Sequence, residues 1–189
     1  MRLFVSVDLP DALADDIAAV QADLEPAAGI RLTDPTQAHV TLKFLGEVEP
    51  HALDELESAI ATGVDRAGQP AFEATVEGIG VFPELSYIRV VWLGVGAGAG
   101  AISALHTGVE GELVERGYPP ADHAFTPHIT IARMEHAGGK ELVQQVVTAA
   151  DPTIGQMTVE EVCLTESTLT PDGPVYETVK RFPLPNDGA

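Results

Sequence analysis

The chain carries the pattern His-x-Thr twice, at His39-Val40-Thr41 and at His128-Ile129-Thr130, and each copy opens a short run rich in β-branched and apolar residues. No other feature constrains the fold as strongly. The runs 39–45, closed by Gly46, and 128–133 are predicted strands. Eleven residues separate His39 from Pro50, where a helix is predicted to begin, and eleven separate His128 from Gly139, the predicted start of another. The segments before each motif repeat as well. A strand over 2–7, a helix from Pro10 to about residue 24 and a short strand near 29–33 precede the first motif. A helix to about residue 66 and alternation over 71–81 follow it. The second half runs as a strand over 86–93, a helix over 100–116, the motif strand, a helix over 139–150 and a strand over 156–165. Val175 to Phe182 then forms a hairpin with that strand across Pro171-Asp172-Gly173. The expected organisation is one bilobal α+β domain over 1–189, duplicated internally as 1–82 and 86–165, with a C-terminal hairpin strand over 174–182. The halves are expected to meet across a pseudo-two-fold axis, where a cleft would lie.

The residue types of the motif indicate its chemistry. Side chains at i and i+2 of a strand share a face, so His39 projects with Thr41 and His128 with Thr130. An imidazole titrates near neutrality, and a hydroxyl donates to an anionic oxygen. Two such pairs across a cleft suit in-line displacement at phosphorus. One histidine takes a proton from water and the other gives one to the departing oxygen, without a metal. Lys43, at i+4 from His39, is expected on the cleft face, where it would add positive charge. Arg133 lies five residues beyond His128, on the opposite face of a regular strand, so contact with phosphate requires a twist, a bulge or the strand end. Phe44, Tyr87, Trp92 and Tyr176 are each a base-stacking or a core aromatic. His123 lacks the spacing of a metal ligand beside His128, because Pro127 intervenes. The Gly94-to-Gly100 loop mimics a dinucleotide turn but reads as a strand-to-helix connection.

Composition narrows the function classes. Cys163 is the single cysteine, which excludes an intramolecular disulfide and a cysteine-based zinc site. No apolar run is long enough for a membrane span and no signal-peptide pattern opens the chain, so a cytoplasmic, membrane-free monomer is expected. The formal net charge is −19, with only three lysines, Lys43, Lys140 and Lys180. Such a field repels a polyanion at low salt, and the composition reads as salt adaptation.

The stretches His39-Val40-Thr41-Leu42-Lys43-Phe44-Leu45-Gly46 and His128-Ile129-Thr130-Ile131-Ala132-Arg133 resemble the paired signatures of the two-histidine (2H) phosphoesterase superfamily. They are most similar to its RNA 2′,3′-cyclic phosphodiesterase branch, also called the 2′-5′ RNA ligase family. Arg2-Leu3-Phe4-Val5-Ser6-Val7, Phe125-Thr126-Pro127, Leu164-Thr165-Glu166-Ser167, Tyr176 and Phe182-Pro183-Leu184 resemble that branch too, so the likeness spans nearly the whole chain. The resemblance implies two antiparallel sheets around a central cleft. It also implies hydrolysis of a 2′,3′-cyclic phosphate on RNA to a 2′-phosphate, with no cofactor. It makes His39 and His128 the acid/base pair and Thr41 and Thr130 the phosphate ligands. Three alternatives keep parts of this reading: 2′-5′ joining of RNA ends, a cyclic phosphodiesterase for small nucleotides, and a non-catalytic module that binds RNA ends.

Overall fold

The computed structural model describes residues 1–186. Nine strands and four helices alternate: β1 Arg2–Asp8, α1 Ala14–Leu24, β2 Ile30–Leu32, β3 His39–Glu47, α2 Leu53–Ala67, β4 Phe72–Glu84, β5 Tyr87–Val95, α3 Ala99–Glu115, β6 His128–Met134, α4 Lys140–Ala149, β7 Thr153–Val159, β8 Glu161–Thr170 and β9 Gly173–Pro183. Pro10 and Pro50 do not start α-helices directly. Pro10 precedes, and Pro50 opens, a single 3-10 turn, Asp11–Leu13 and Pro50–Ala52, which then widens into α1 or α2.

The strands form one curled antiparallel sheet in the order β7-β4-β5-β6-β3-β1-β8-β9, with β2 also paired to β6. The expectation of two sheets needs correction here. The groups β7-β4-β5-β6 and β3-β1-β8-β9 are joined through the pair Val40↔Ile129, so hydrogen bonding runs across the middle of the molecule. A second correction concerns the strand expected over 156–165. It is two strands, divided at Glu160, and they part company: β7 pairs with β4, whereas β8 crosses to β1 and β9. The sequence carries no turn residue at that division, so the break is set by tertiary pairing rather than by local preference.

Val40, Leu42, Ile129 and Ile131 are fully buried beneath the helices, on the side of the sheet opposite the motif histidines. The helices exchange halves: α1 lies under β6 and α3 under β3. Helices α2 and α3 pack so closely that a Cβ at Gly108 would come within 2.3 Å of the Gly63 carbonyl oxygen. Both glycines are therefore required by contact rather than by backbone angle.

A one-residue bulge interrupts each motif strand at the same place. Along β1, Val5 and Ser6 are consecutive, yet they face Lys43 and Thr41, so Leu42 is the extra residue. Along β5, Val91 and Trp92 face Ala132 and Thr130, so Ile131 is extra. The carbonyl of each bulge residue accepts from a helix side chain, and that of Ile131 accepts from Thr33 N as well, at 3.0 Å. His106 Nδ1 on α3 donates to Leu42 O at 2.8 Å, and buried Gln21 Nε2 on α1 donates to Ile131 O at 3.0 Å. Phe125 stacks on His106 with ring centroids 4.1 Å apart, tying the segment before β6 to the support of the first bulge.

The bulge reverses the expected facing of Lys43. It shares the face of Val5, Val7 and Val40, is only 8% exposed, and pairs with Glu110 Oε2 on α3 at 2.7 Å. Its Nζ also donates to Pro119 O at 2.5 Å, and Glu110 Oε1 accepts from Ala121 N at 2.6 Å, so the pair pins the approach to β6. Removing one member strands a poorly solvated charge. Lys43→Met should cost about 3 kcal/mol in urea denaturation, and Lys43→Met with Glu110→Gln should recover much of that loss. Equal destabilisation by both variants would show that packing of the lysine stem, rather than the charge pair, sets the cost.

Candidate active site

Because Val40 and Ile129 are paired neighbours, the two motif strands run side by side and present His39, Thr41, His128 and Thr130 on the face away from the helices. Phe4, Ser6 and Asp8 alternate along β1 opposite Phe44, Thr41 and His39, which places those six side chains on one face. Val90 and Trp92 alternate along β5 opposite Arg133 and Thr130, so Arg133 joins the same face. The bulge at Ile131 is what brings it there. Arg133 thus occupies the place in its strand that Phe44, 66% exposed, occupies in the other.

Each imidazole is held in the same way. His39 Nδ1 donates to the carbonyl of Gln37 at 2.9 Å, and His128 Nδ1 donates to that of Thr126 at 2.7 Å. A carbonyl only accepts, so the proton sits on Nδ1 and Nε2 is the nitrogen that gains or loses one. Aromatic rings wall both histidines. Phe4 stacks on His39 at 4.9 Å and Tyr176 meets it edge-on at 5.1 Å. Phe82 meets His128 edge-on at 4.9 Å, and Trp92 lies 6.3 Å away with its indole laid over Gly80. The hydroxyls of Thr41 and Thr130 have no hydrogen-bond partner among the described residues, which leaves them available to a ligand. Gln37 also orders the hairpin that covers this face: its Nε2 donates to Pro174 O at 3.1 Å and its Oε1 accepts from Tyr176 N at 2.9 Å.

The electrostatic settings of the two imidazoles differ. Burial pushes the pKa of each below 6.5. At His39 the hydrogen bond to Gln37 and the Asp8 carboxylate oppose that fall, while His128 and Arg133 add to it. At His128 the hydrogen bond to Thr126 opposes it, whereas Arg133 and His123 add to it. Burial raises the Tyr176 phenol, and Arg133 and Arg2 draw it back down. Arg133 therefore acts on both histidines and on Tyr176. The Cys163 thiol, pushed up to about 12 chiefly by burial, stays protonated and is no nucleophile.

Of the residues singled out in the sequence, His39, Thr41, His128, Thr130 and Arg133 share this face, whereas Lys43 lies on the helix side. Trp92, Tyr176 and Phe44 border the cleft, and Tyr87 is an exposed residue at the start of β5. His123 is exposed beside Asp122. The backbone of the Gly94-to-Gly100 loop is tied to Thr75, with Gly96 N donating to its carbonyl and Ala97 N to its hydroxyl. Sequence reasoning missed Phe4, Phe82, Gln37 and Asp8. Phe4 sits in a run of five buried residues that gives no facing signal, and Asp8 is legible only once β1 is known to pair with β3.

The curled antiparallel sheet is the fold of several solved structures. The crystal structure of TT0787 from Thermus thermophilus superposes with a TM-score of 0.80 at 29% identity, covering 99% of this chain and 100% of that one. E. coli LigT complexed with 3′-AMP gives 0.77 at 29% identity, with 97% of each chain covered. The family model described as the 2′-5′ RNA ligase superfamily matches residues 9–170, and the chain belongs to that superfamily. It is also 34% identical over 186 residues to the RNA 2′,3′-cyclic phosphodiesterase of Methanothermobacter thermautotrophicus, covering 97% of this chain and 99% of the relative. The protein of that name from Methanocaldococcus jannaschii is 32% identical over 183 residues, covering 96% and 100%.

The lowered imidazole pKa values carry a sign. The unfolded chain takes a proton at each histidine first, so their contribution to stability is complete above about 6.5 and is lost as pH falls through the folded-state values. Imidazole NMR titrations should therefore show both midpoints below 6.5, and thermal stability should fall less steeply on acidification in His39→Gln than in the parent. A midpoint at or above 6.5 for both rings would contradict the burial described.

Proposed function

We propose that the chain hydrolyses 2′,3′-cyclic phosphate ends of RNA to 2′-phosphates, with His39 and His128 as a metal-independent acid/base pair. The observation that carries this reading is the matched setting of the two imidazoles, each with Nδ1 committed to the carbonyl two residues upstream and Nε2 free on one face. Several relatives along nearly the whole chain bear the name RNA 2′,3′-cyclic phosphodiesterase.

In this mechanism Nε2 of His128 takes a proton from water as the water oxygen bonds to phosphorus. The bond from phosphorus to O3′ breaks, and Nε2 of His39 gives its proton to that oxygen, leaving a 2′-phosphomonoester. Asp8 supports this assignment: its carboxylate favours the protonated form of His39, whereas Arg133 favours the neutral form of both rings and His123 adds to that at His128. The arriving phosphate adds negative charge beside both rings and raises the fraction of His39 that is protonated. Thr41 and Thr130 donate to the non-bridging oxygens, and Arg133 neutralises the charge that builds on them.

The reading extends to the architecture. We take the two motif strands to be related by a pseudo-two-fold through the Val40–Ile129 pair, as traces of an internal duplication. The mirrored strand order, the two bulges at matching positions and the two Nδ1 bonds support it. The chain is further expected to act as a monomer.

An oligonucleotide bearing a 2′,3′-cyclic phosphate tests the activity, and the product should carry its phosphate on O2′. His39→Ala and His128→Ala should each lower kcat by at least about 10²-fold, and Thr41→Val or Thr130→Val by about 10–10³-fold. A substrate with a good leaving group should rescue the His39 variant alone. Rescue of His128→Ala instead reverses the assignment, and near-normal rates in either alanine variant end the two-histidine mechanism.

A further inference from the structure

Arg31 and Arg133 stand directly opposite each other where β2 pairs with β6. Directly opposed residues of an antiparallel pair project to one face, with Cα atoms about 4.5–5.5 Å apart. That face is the imidazole face, because Arg133 shares it with Thr130 and His128. The β8–β9 hairpin bounds the same spot: a Cβ added at Gly173 would lie 3.8 Å from Arg31 Nη2, and three residues further on Tyr176 packs against His39.

Like charges held opposite each other in a sheet repel, so the pair is costly unless an anion occupies it. Of the eight other lysines and arginines, five are neutralised, whereas Arg2, Arg89 and Lys140 have no carboxylate within 4.0 Å among the described residues. Lys43, Arg66, Arg116, Lys180 and Arg181 each have a carboxylate within 4.0 Å. Arg133 has none among the described residues. Arg31 has Glu135, at 3.7 Å with side chains 55% and 63% exposed, a pairing that solvent screens. On a chain of net charge −19, two exposed and weakly matched guanidiniums beside the histidines are set apart for an anion.

The two strands that carry them divide the work. Arg133 shares the face of His128 and Thr130 and acts on both imidazoles, so it is the arginine placed to meet the reacting phosphate. Arg31 projects from the neighbouring strand β2, across from Arg133 and beside Gly173 of the β8–β9 hairpin, where the next anionic group of a bound chain would come. We propose that Arg31 is a specificity-determining residue that binds the phosphodiester on the 5′ side of the terminal cyclic phosphate. The site then takes an RNA chain in preference to a lone 2′,3′-cyclic nucleotide, which lacks that phosphate. The proposal rests on reading the cleft as a cyclic-phosphate site.

The test compares kcat/KM on a dinucleotide ending in a 2′,3′-cyclic phosphate with kcat/KM on a 2′,3′-cyclic mononucleotide, for the parent, Arg31→Gln and Arg31→Lys. In Arg31→Gln the ratio should fall about ten-fold, chiefly through KM for the dinucleotide, and Arg31→Lys should restore most of it because a point charge still attracts the phosphate. Removing one phosphate contact should also flatten the dependence of log KM on log salt by about 0.7 for the dinucleotide. A loss of equal size on both substrates, or an unchanged ratio, overturns the assignment of Arg31 while leaving the cyclic-phosphate reading intact. A parent protein that opens neither substrate overturns that reading and this one with it.

Discussion

The site depends on where the backbone of each motif strand gains one residue. A regular strand would send residue i+4 to the face of the histidine and residue i+5 away from it. The bulges at Leu42 and Ile131 reverse both assignments, so Lys43 and Ala132 go to the core while Phe44 and Arg133 come to the cleft. The carbonyl of each bulge residue needs a partner, since a buried unsatisfied carbonyl costs about 1–3 kcal/mol, and Thr33 N already bonds that of Ile131. His106 and Gln21 answer that need from the helices beneath. These two polar side chains thereby hold the pattern of charge on the opposite surface of the sheet.

On that surface the two halves are alike in geometry and unlike in charge. The same local hydrogen bond fixes the tautomer of each imidazole, and a phenylalanine packs against each ring. The differences lie one residue or one strand away. Asp8 stands opposite His39, whereas Gly94 occupies the equivalent place opposite His128. Arg133 is matched by Phe44. The two motif strands therefore hold groups of the same chemical type in different fields, the setting that the proposed acid and base require if they are to exchange a proton in opposite directions.

The motif strands, the order of helices and strands, and the sharing of a face by histidine and threonine were legible in the sequence, because all rest on local periodicity. Lys43 was misplaced for the same reason: period-two reasoning cannot see a bulge that is stabilised by His106, more than sixty residues away. The requirement that Arg133 have a bulge to reach the cleft followed from the same arithmetic, and the bulge at Ile131 supplies it. Non-local pairing hid the rest. The crossing of the chain at Glu160, the joining of the sheet through Val40 and Ile129, and the meeting of Phe4, Tyr176 and His39 are properties of strand order. Nothing in residues 156–165 alone distinguishes one strand from two.

Arg133 shares a face with the two histidines on a chain of net charge −19, so bulk charge and site chemistry are separate features of the chain. The central claim is that one phosphate is gripped from both motif strands at once. A crystal structure with a nucleoside 2′-phosphate bound tests it most directly. The account places the phosphate oxygens within hydrogen-bonding distance of Nε2 of both His39 and His128, of both threonine hydroxyls and of Arg133. A phosphate held by one motif alone, or bound away from the face shared by the two histidines, would contradict it.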